Sequence, residues 1–116
     1  MPASASRKRT HPMSLTAEKI QELKSKHGDL RQLTAEGHTI VVRRPTEVEW
    51  DRHVTLMLDQ QRRGQAPRAL VETATVFPDK ETLSALMTKM PGLASTFAAK
   101  IGEYVGSGLD VEKKDL

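Results

Sequence analysis

Proline and glycine punctuation constrains this chain more than any other feature. Pro45, Pro67, Pro78 and Pro91, with Gly28, Gly64, Gly92, Gly106 and Gly108, cut it into short pieces. A proline removes a backbone donor and ends a helix behind it, and a glycine takes the left-handed conformation that closes one. No long helix or heptad seam survives such spacing, so the pieces must be short elements that bury one another. At 116 residues there is room for one such assembly.

The pieces declare their types. Thr16 predicts a helix cap, with Leu15 and Ile20 as a hydrophobic staple and Ile20, Leu23 and Ala17 on one face. Lys24 and Lys26 enrich its last turn, and Gly28 closes it. Leu30–Thr34 and His38–Arg43 flank Ala35-Glu36-Gly37 as a β-hairpin that Pro45 ends. Thr46-Glu47-Val48-Glu49 fits a capping box, the strongest local signal in the sequence. The helix it opens carries Trp50, Val54, Met57 and Leu58 at i, i+4, i+7 and i+8 and is expected to end near Arg62-Arg63-Gly64. Trp50 is expected to be mostly buried against the hairpin.

Pro67 suits the first turn of a third helix with Leu70, Val71 and Ala74 inside, its face continuing into Phe77. Asp79 caps a fourth bearing Leu83, Leu86, Met87 and Met90. A fifth places Leu93, Phe97, Ile101, Tyr104 and Val105 on one side. The fold class expected is therefore α+β: mainly helical, one β-hairpin packed against four to five short helices. Residues 1–13 read as a disordered basic arm, 14–107 as a single domain, and 108–116 as a polar C-terminal tail.

Composition removes several function classes. Aromatic residues make up 3%, so the core must rest on Leu, Val, Ile, Ala and Met. There is no cysteine, which excludes disulfides, thiol catalysis and cysteine-based metal sites. No apolar run is long enough to span a membrane, and the basic start lacks the apolar region of a secretory signal. The net charge of +3 is concentrated in Arg7, Lys8 and Arg9. The remainder is near neutral, which argues against nucleic acid as a partner.

Nothing in the residue pattern calls for an active site. His11, His27, His38 and His53 form no helical metal spacing, and no nucleophile elbow or phosphate loop occurs. Glu47 and Glu49, like Asp79 and Glu81, sit in first turns, where capping and the helix dipole account for them. The expectation is a protein without enzymatic activity, cofactor or metal. The stripes broken at Pro91-Gly92 supply candidate partner-binding residues, Leu86, Met87, Met90 and Phe97, because thioether chains suit adaptable apolar grooves.

The order of the short motifs carries a resemblance. Lys26-His27-Gly28, then Arg43-Arg44-Pro45-Thr46, then Val76-Phe77-Pro78-Asp79, then Pro91-Gly92-Leu93 resembles small tail assembly chaperones of tailed bacteriophages and prophages, over residues 15–106. The resemblance implies a non-enzymatic role in the cytoplasm of the bacterial host. There such a protein coats the tape measure protein, keeps it soluble, recruits tail tube subunits and leaves before the particle matures. Self-association is compatible with it. Two other readings fit the same sequence: a small structural protein retained in a phage particle or related injection machine, and a small nucleic-acid-binding protein using the basic arm.

Overall fold

A computed structural model describes residues 15–116; the arm expected over residues 1–13 lies outside the described residues. Helix α1 (Ala17–His27) leads into strands β1 (Leu30–Ala35) and β2 (His38–Arg43). Helix α2 (Glu47–Leu58), a 3-10 turn (Arg63–Gln65) and helix α3 (Ala66–Ala74) follow, then strand β3 (Thr75–Phe77), helix α4 (Lys80–Lys89) and helix α5 (Gly92–Tyr104). The fold is α+β, with five helices and a three-stranded antiparallel sheet ordered β1-β2-β3 among the described residues.

Local chemistry sets the boundaries. The Thr16 hydroxyl accepts from the Lys19 amide at 3.0 Å, and Asp79 Oδ1 accepts from the Thr82 amide at 2.8 Å. The hairpin turns on Glu36 (φ 51°) and Gly37 (φ 79°). Two successive positive φ values are those of a type I′ turn, whose twist matches the strands it joins. Ala35 therefore pairs with His38, and the register runs back to Leu30 opposite Arg43.

Two expectations are corrected. Helix α2 stops at Leu58 rather than near Gly64, because Asp59 leaves helical geometry (ψ 114°) and its carboxylate accepts from the Gln61 amide at 2.9 Å. Phe77 does not continue α3. The Thr75 hydroxyl donates to the Val71 carbonyl at 2.6 Å, α3 ends at Ala74, and Thr75–Phe77 becomes the third strand, pairing with Val41 and Val42. Two β-branched residues and a phenylalanine ahead of a proline are strand chemistry.

Strand β2 is buried on both faces, and the molecule is layered about it. Ile40 and Val42 enter the main core with Leu70, Val71, Leu83, Met87, Phe97 and Ile101. Val41 points the other way, into a smaller cluster with Leu23 of α1 and Phe77. One layer is thus α1, the middle is the sheet, and α2–α5 form the third. Each apolar side chain sealed in this way contributes roughly 1.5–3 kcal/mol.

Candidate interaction surface

The surface is built on α2, and the segment Arg43-Arg44-Pro45-Thr46 fixes that helix to the body. Arg43 forms a two-pronged ion pair with Glu49, both N–H···O distances being 2.8 Å. The same guanidinium donates to the Thr73 carbonyl at 3.1 Å, so the end of β2, the first turn of α2 and the end of α3 share one cation. Glu49 also closes the capping box, accepting from the Thr46 amide at 2.9 Å while the Thr46 hydroxyl accepts from the Glu49 amide at 3.2 Å. Arg43 and, less strongly, the Thr46 amide hold the Glu49 carboxyl at about 2, against the partial burial that opposes it. The Arg43 pKa rises in return, chiefly through its hydrogen bond to Glu49.

Arg44 works on the neighbouring helix. It donates to the Tyr104 carbonyl at 3.1 Å, satisfying an end of α5, and its guanidinium lies 4.4 Å from the Tyr104 ring centre. Arg31, opposite Val42 on the helix-covered face of β1, sits over the same ring at 4.0 Å. Pro45 between these contacts is buried. The motif that shaped the resemblance is thus a structural bracket.

Helix α2, so braced, keeps much of its apolar face outside. None of its residues is buried. Val54 is 38% exposed, Met57 40%, Leu58 77% and, on the opposite side, Val48 66%. The stripe expected from the sequence exists, but the helix is rolled so that Trp50, His53 and Leu56 are half-buried while Val54 and Leu58 face out. Trp50 is mostly covered, packed against the main core, and it leans on α5, where its ring edge lies 3.5 Å from the place a side chain on Gly102 would occupy.

Two depressions flank Trp50. One, about 440 Å³, runs between α2 and α5 and is lined by Trp50, His53, Met57, Pro67, Ala98 and Gly102. Small residues on α5 make its floor, and His53 is fixed there. The His53 ring stacks obliquely on Trp50 at 4.9 Å, and its Nδ1 lies 3.3 Å from the Ala66 carbonyl; a carbonyl only accepts, so Nδ1 carries the proton. The other depression, about 620 Å³, holds Arg31, Arg44, Trp50, Glu103, Tyr104 and Leu109.

The residues expected to bind a partner lie elsewhere. Met87 (1% exposed), Phe97 (2%) and Leu86 (9%) are in the core, and Met90 is half-buried against it. The break at Pro91-Gly92 folds α5 back beside α4, so both stripes meet α3 inside instead of facing solvent. Leu86, Met87 and Phe97 are therefore not a surface of this chain. The exposed apolar surface is instead the α2 face, whose stripe is regular in the sequence while its exposure depends on what packs over it.

Arg44, His53 and Glu103 beside these depressions have structural partners. Among the described residues no group of three or more His, Asp or Glu is placed to hold a metal, and no buried side-chain polar atom lacks a hydrogen bond. Asp79, far from the depressions, is held below the usual carboxylate range by the hydroxyl and amide of Thr82. No helix among the described residues is long and apolar enough to cross a membrane.

Comparison with known proteins places the chain. The model of a domain of unknown function, DUF6848, matches residues 19–114. The chain belongs to the DUF6848 family. A solved structure, that of the uncharacterised protein rbstp2171 from Bacillus stearothermophilus, is similar over 82% of this chain and 99% of its own, at 24% identity and a TM-score of 0.72. At that identity the likeness is one of fold. No curated protein matches the chain. The DUF6848 match takes in the bracket, α2, both depressions and most of the segment after α5.

Proposed function

We propose that this DUF6848 protein is a non-enzymatic binding protein that grips an amphipathic helix of a client along the α2 stripe and the groove between Trp50 and Met57. One observation carries this reading. A short helix held by four hydrogen bonds at its first turn leaves Val54, Met57 and Leu58 outside the core. Apolar side chains gathered beside a groove, rather than scattered singly, mark an interaction site. A helix docks on such a surface through side chains spaced at i, i+3, i+4 and i+7.

With the motif order described above, the client is the tape measure protein of a phage tail. The role is that of a tail assembly chaperone in the bacterial cytoplasm, which keeps that client soluble and brings tail tube subunits to it. Rigid bracing and modest exposed area suit a contact that must form and later release.

The test is Met57→Asp combined with Leu58→Asp, at two positions the core does not use. The double variant is expected to keep its circular dichroism spectrum and melting transition. Co-expressed with a phage tape measure protein, it is expected to leave that client insoluble, whereas the unaltered chain holds it in solution. A folded double variant that still solubilises the client overturns the reading.

A further inference from the structure

We infer that residues 109–116 of one copy dock as an extended segment in the Arg31–Arg44 cleft of a second copy, the two copies exchanging these segments reciprocally. The cleft lies across Trp50 from the client groove, and the inference stands whether or not a client binds there.

The segment is oddly made for a solvated tail. Gly106 (φ 94°) and Gly108 (φ 75°) turn the chain off the end of α5. Leu109 then lies at the lip of the cleft, and beyond it the segment leaves its own body. Val111 is 87% exposed and Leu116 wholly so. In an extended chain successive side chains alternate, so Leu109 and Val111 share one side and Asp110 and Glu112 the other. The match to the DUF6848 model runs to residue 114 and so includes this pattern.

The cleft has the complementary make-up. Its apolar wall is Trp50 with the side chain of Val105, and two guanidiniums crowd the Tyr104 ring at 4.0 and 4.4 Å. Arg44 is engaged with the Tyr104 carbonyl. Arg31 is exposed and enters no ion pair among the described residues, and neither do Asp110 and Glu112. A planar guanidinium already held against a ring is set to take a carboxylate on its free edge. Glu47 and Glu103 border the same cleft, and the next residues along the segment are Lys113 and Lys114. Acidic residues thus come first and basic ones after as far as Lys114, beyond which Asp115 lies 3.9 Å from Lys113.

The exposed course of the segment beyond Leu109 favours exchange between copies over folding back. The segment starts at the cleft's edge, so a two-fold axis near Gly108 lets each strand cross directly into the other copy. Eight extended residues span about 26 Å. Isologous contacts of this kind close at two copies. Two short segments engage less surface than a permanent dimer does, so the association is expected in the micromolar range.

Sedimentation equilibrium of the full chain, from about 1 to 500 µM, reads this directly. The unaltered chain is expected to pass from monomer to dimer. Asp110→Arg with Glu112→Arg, and separately Arg31→Glu, are each expected to weaken dimerisation at least about tenfold, and circular dichroism should leave the fold of each unchanged. An equimolar mixture of the two variants should recover the dimer, because every segment then meets a cleft of opposite charge. Since Asp110 and Glu112 are exposed and enter no ion pair in their own copy, that variant reads the interface even if Arg31→Glu perturbs the fold. A chain that stays monomeric throughout overturns the inference, as would happen if the segment folds back or serves a different protein. So does a dimer that the segment variant leaves intact, or a mixture that remains monomeric.

Discussion

Replacing Glu49 with Gln removes one charge from the bracket while keeping an acceptor for the Thr46 amide. The Glu49 carboxyl titrates at about 2 instead of the usual 4.5 because Arg43 donates two hydrogen bonds to it. Each tenfold change in proton affinity is worth about 1.4 kcal/mol, so the lowered pKa corresponds to roughly 3 kcal/mol of folding stability at neutral pH. A fifth of the Glu49 side chain remains open to water, and screening there trims the figure to about 2 kcal/mol. The sign follows from the direction of the shift. A carboxyl whose folded pKa is depressed stabilises the protein above its unfolded value, and that contribution disappears as the pH falls from about 4.5 to about 2.

Urea melts of both chains at constant ionic strength, from pH 7 down to pH 2, measure the difference. At pH 7 the Glu49→Gln midpoint is expected to drop by roughly 1–2 M urea, given a slope near 1–2 kcal/mol/M for a chain this size. The two curves should converge below about pH 3. A difference at neutral pH under about 0.5 kcal/mol would show the pair to be an ordinary exposed one. A difference that persists unchanged to pH 2 would show that the loss comes from packing and not from charge.

Three further outcomes are expected. Thr46→Ala should destabilise by about 1 kcal/mol in the same melts, since it leaves the Glu49 amide without its cap acceptor. Met87→Glu should abolish the cooperative transition, because an unpaired carboxylate would enter the core that holds Phe97 and Ile101; a folded, monomeric variant would contradict the burial of Met87. Trp50→Ala should cost about 1–3 kcal/mol, less than a fully buried tryptophan, and native Trp50 emission should be partly quenched by iodide. Emission wholly protected from the quencher would mean the groove is closed.

The parts of the fold that were legible in the sequence rest on contacts within a few residues. Thr16, Thr46 and Asp79 cap helices because their oxygens reach amides three residues on. Glu36-Gly37 makes the hairpin because its two central residues take positive φ. The third strand was missed because Thr75-Val76-Phe77 continues the apolar spacing of α3. Only its partner, the far edge of β2, decides between helix and strand there. That partner is some thirty residues away, and local periodicity carries no record of it.

The same limit explains why the exposed stripe is that of α2 and not those of α4 and α5. Helices α2 and α4 carry equally regular apolar stripes, and nothing in either stripe says whether it is covered. What separates them is the path of the chain between helices. Pro91-Gly92 returns α5 beside α4, so Leu86, Met87 and Phe97 are sealed together. After Leu58, by contrast, the chain turns through Asp59–Gln65 and brings α3 against only one side of α2. Arg43 and Glu49 then hold α2 by charge and hydrogen bonds, so the helix has no need of its outer apolar residues for attachment. Val54, Met57 and Leu58 are thus surplus to folding, and a surplus of large apolar side chains on a braced helix costs solubility unless a partner covers it. Replacing all three with polar residues should leave stability within about 0.5 kcal/mol of the unaltered chain. A loss of several kcal/mol would place them in the fold instead.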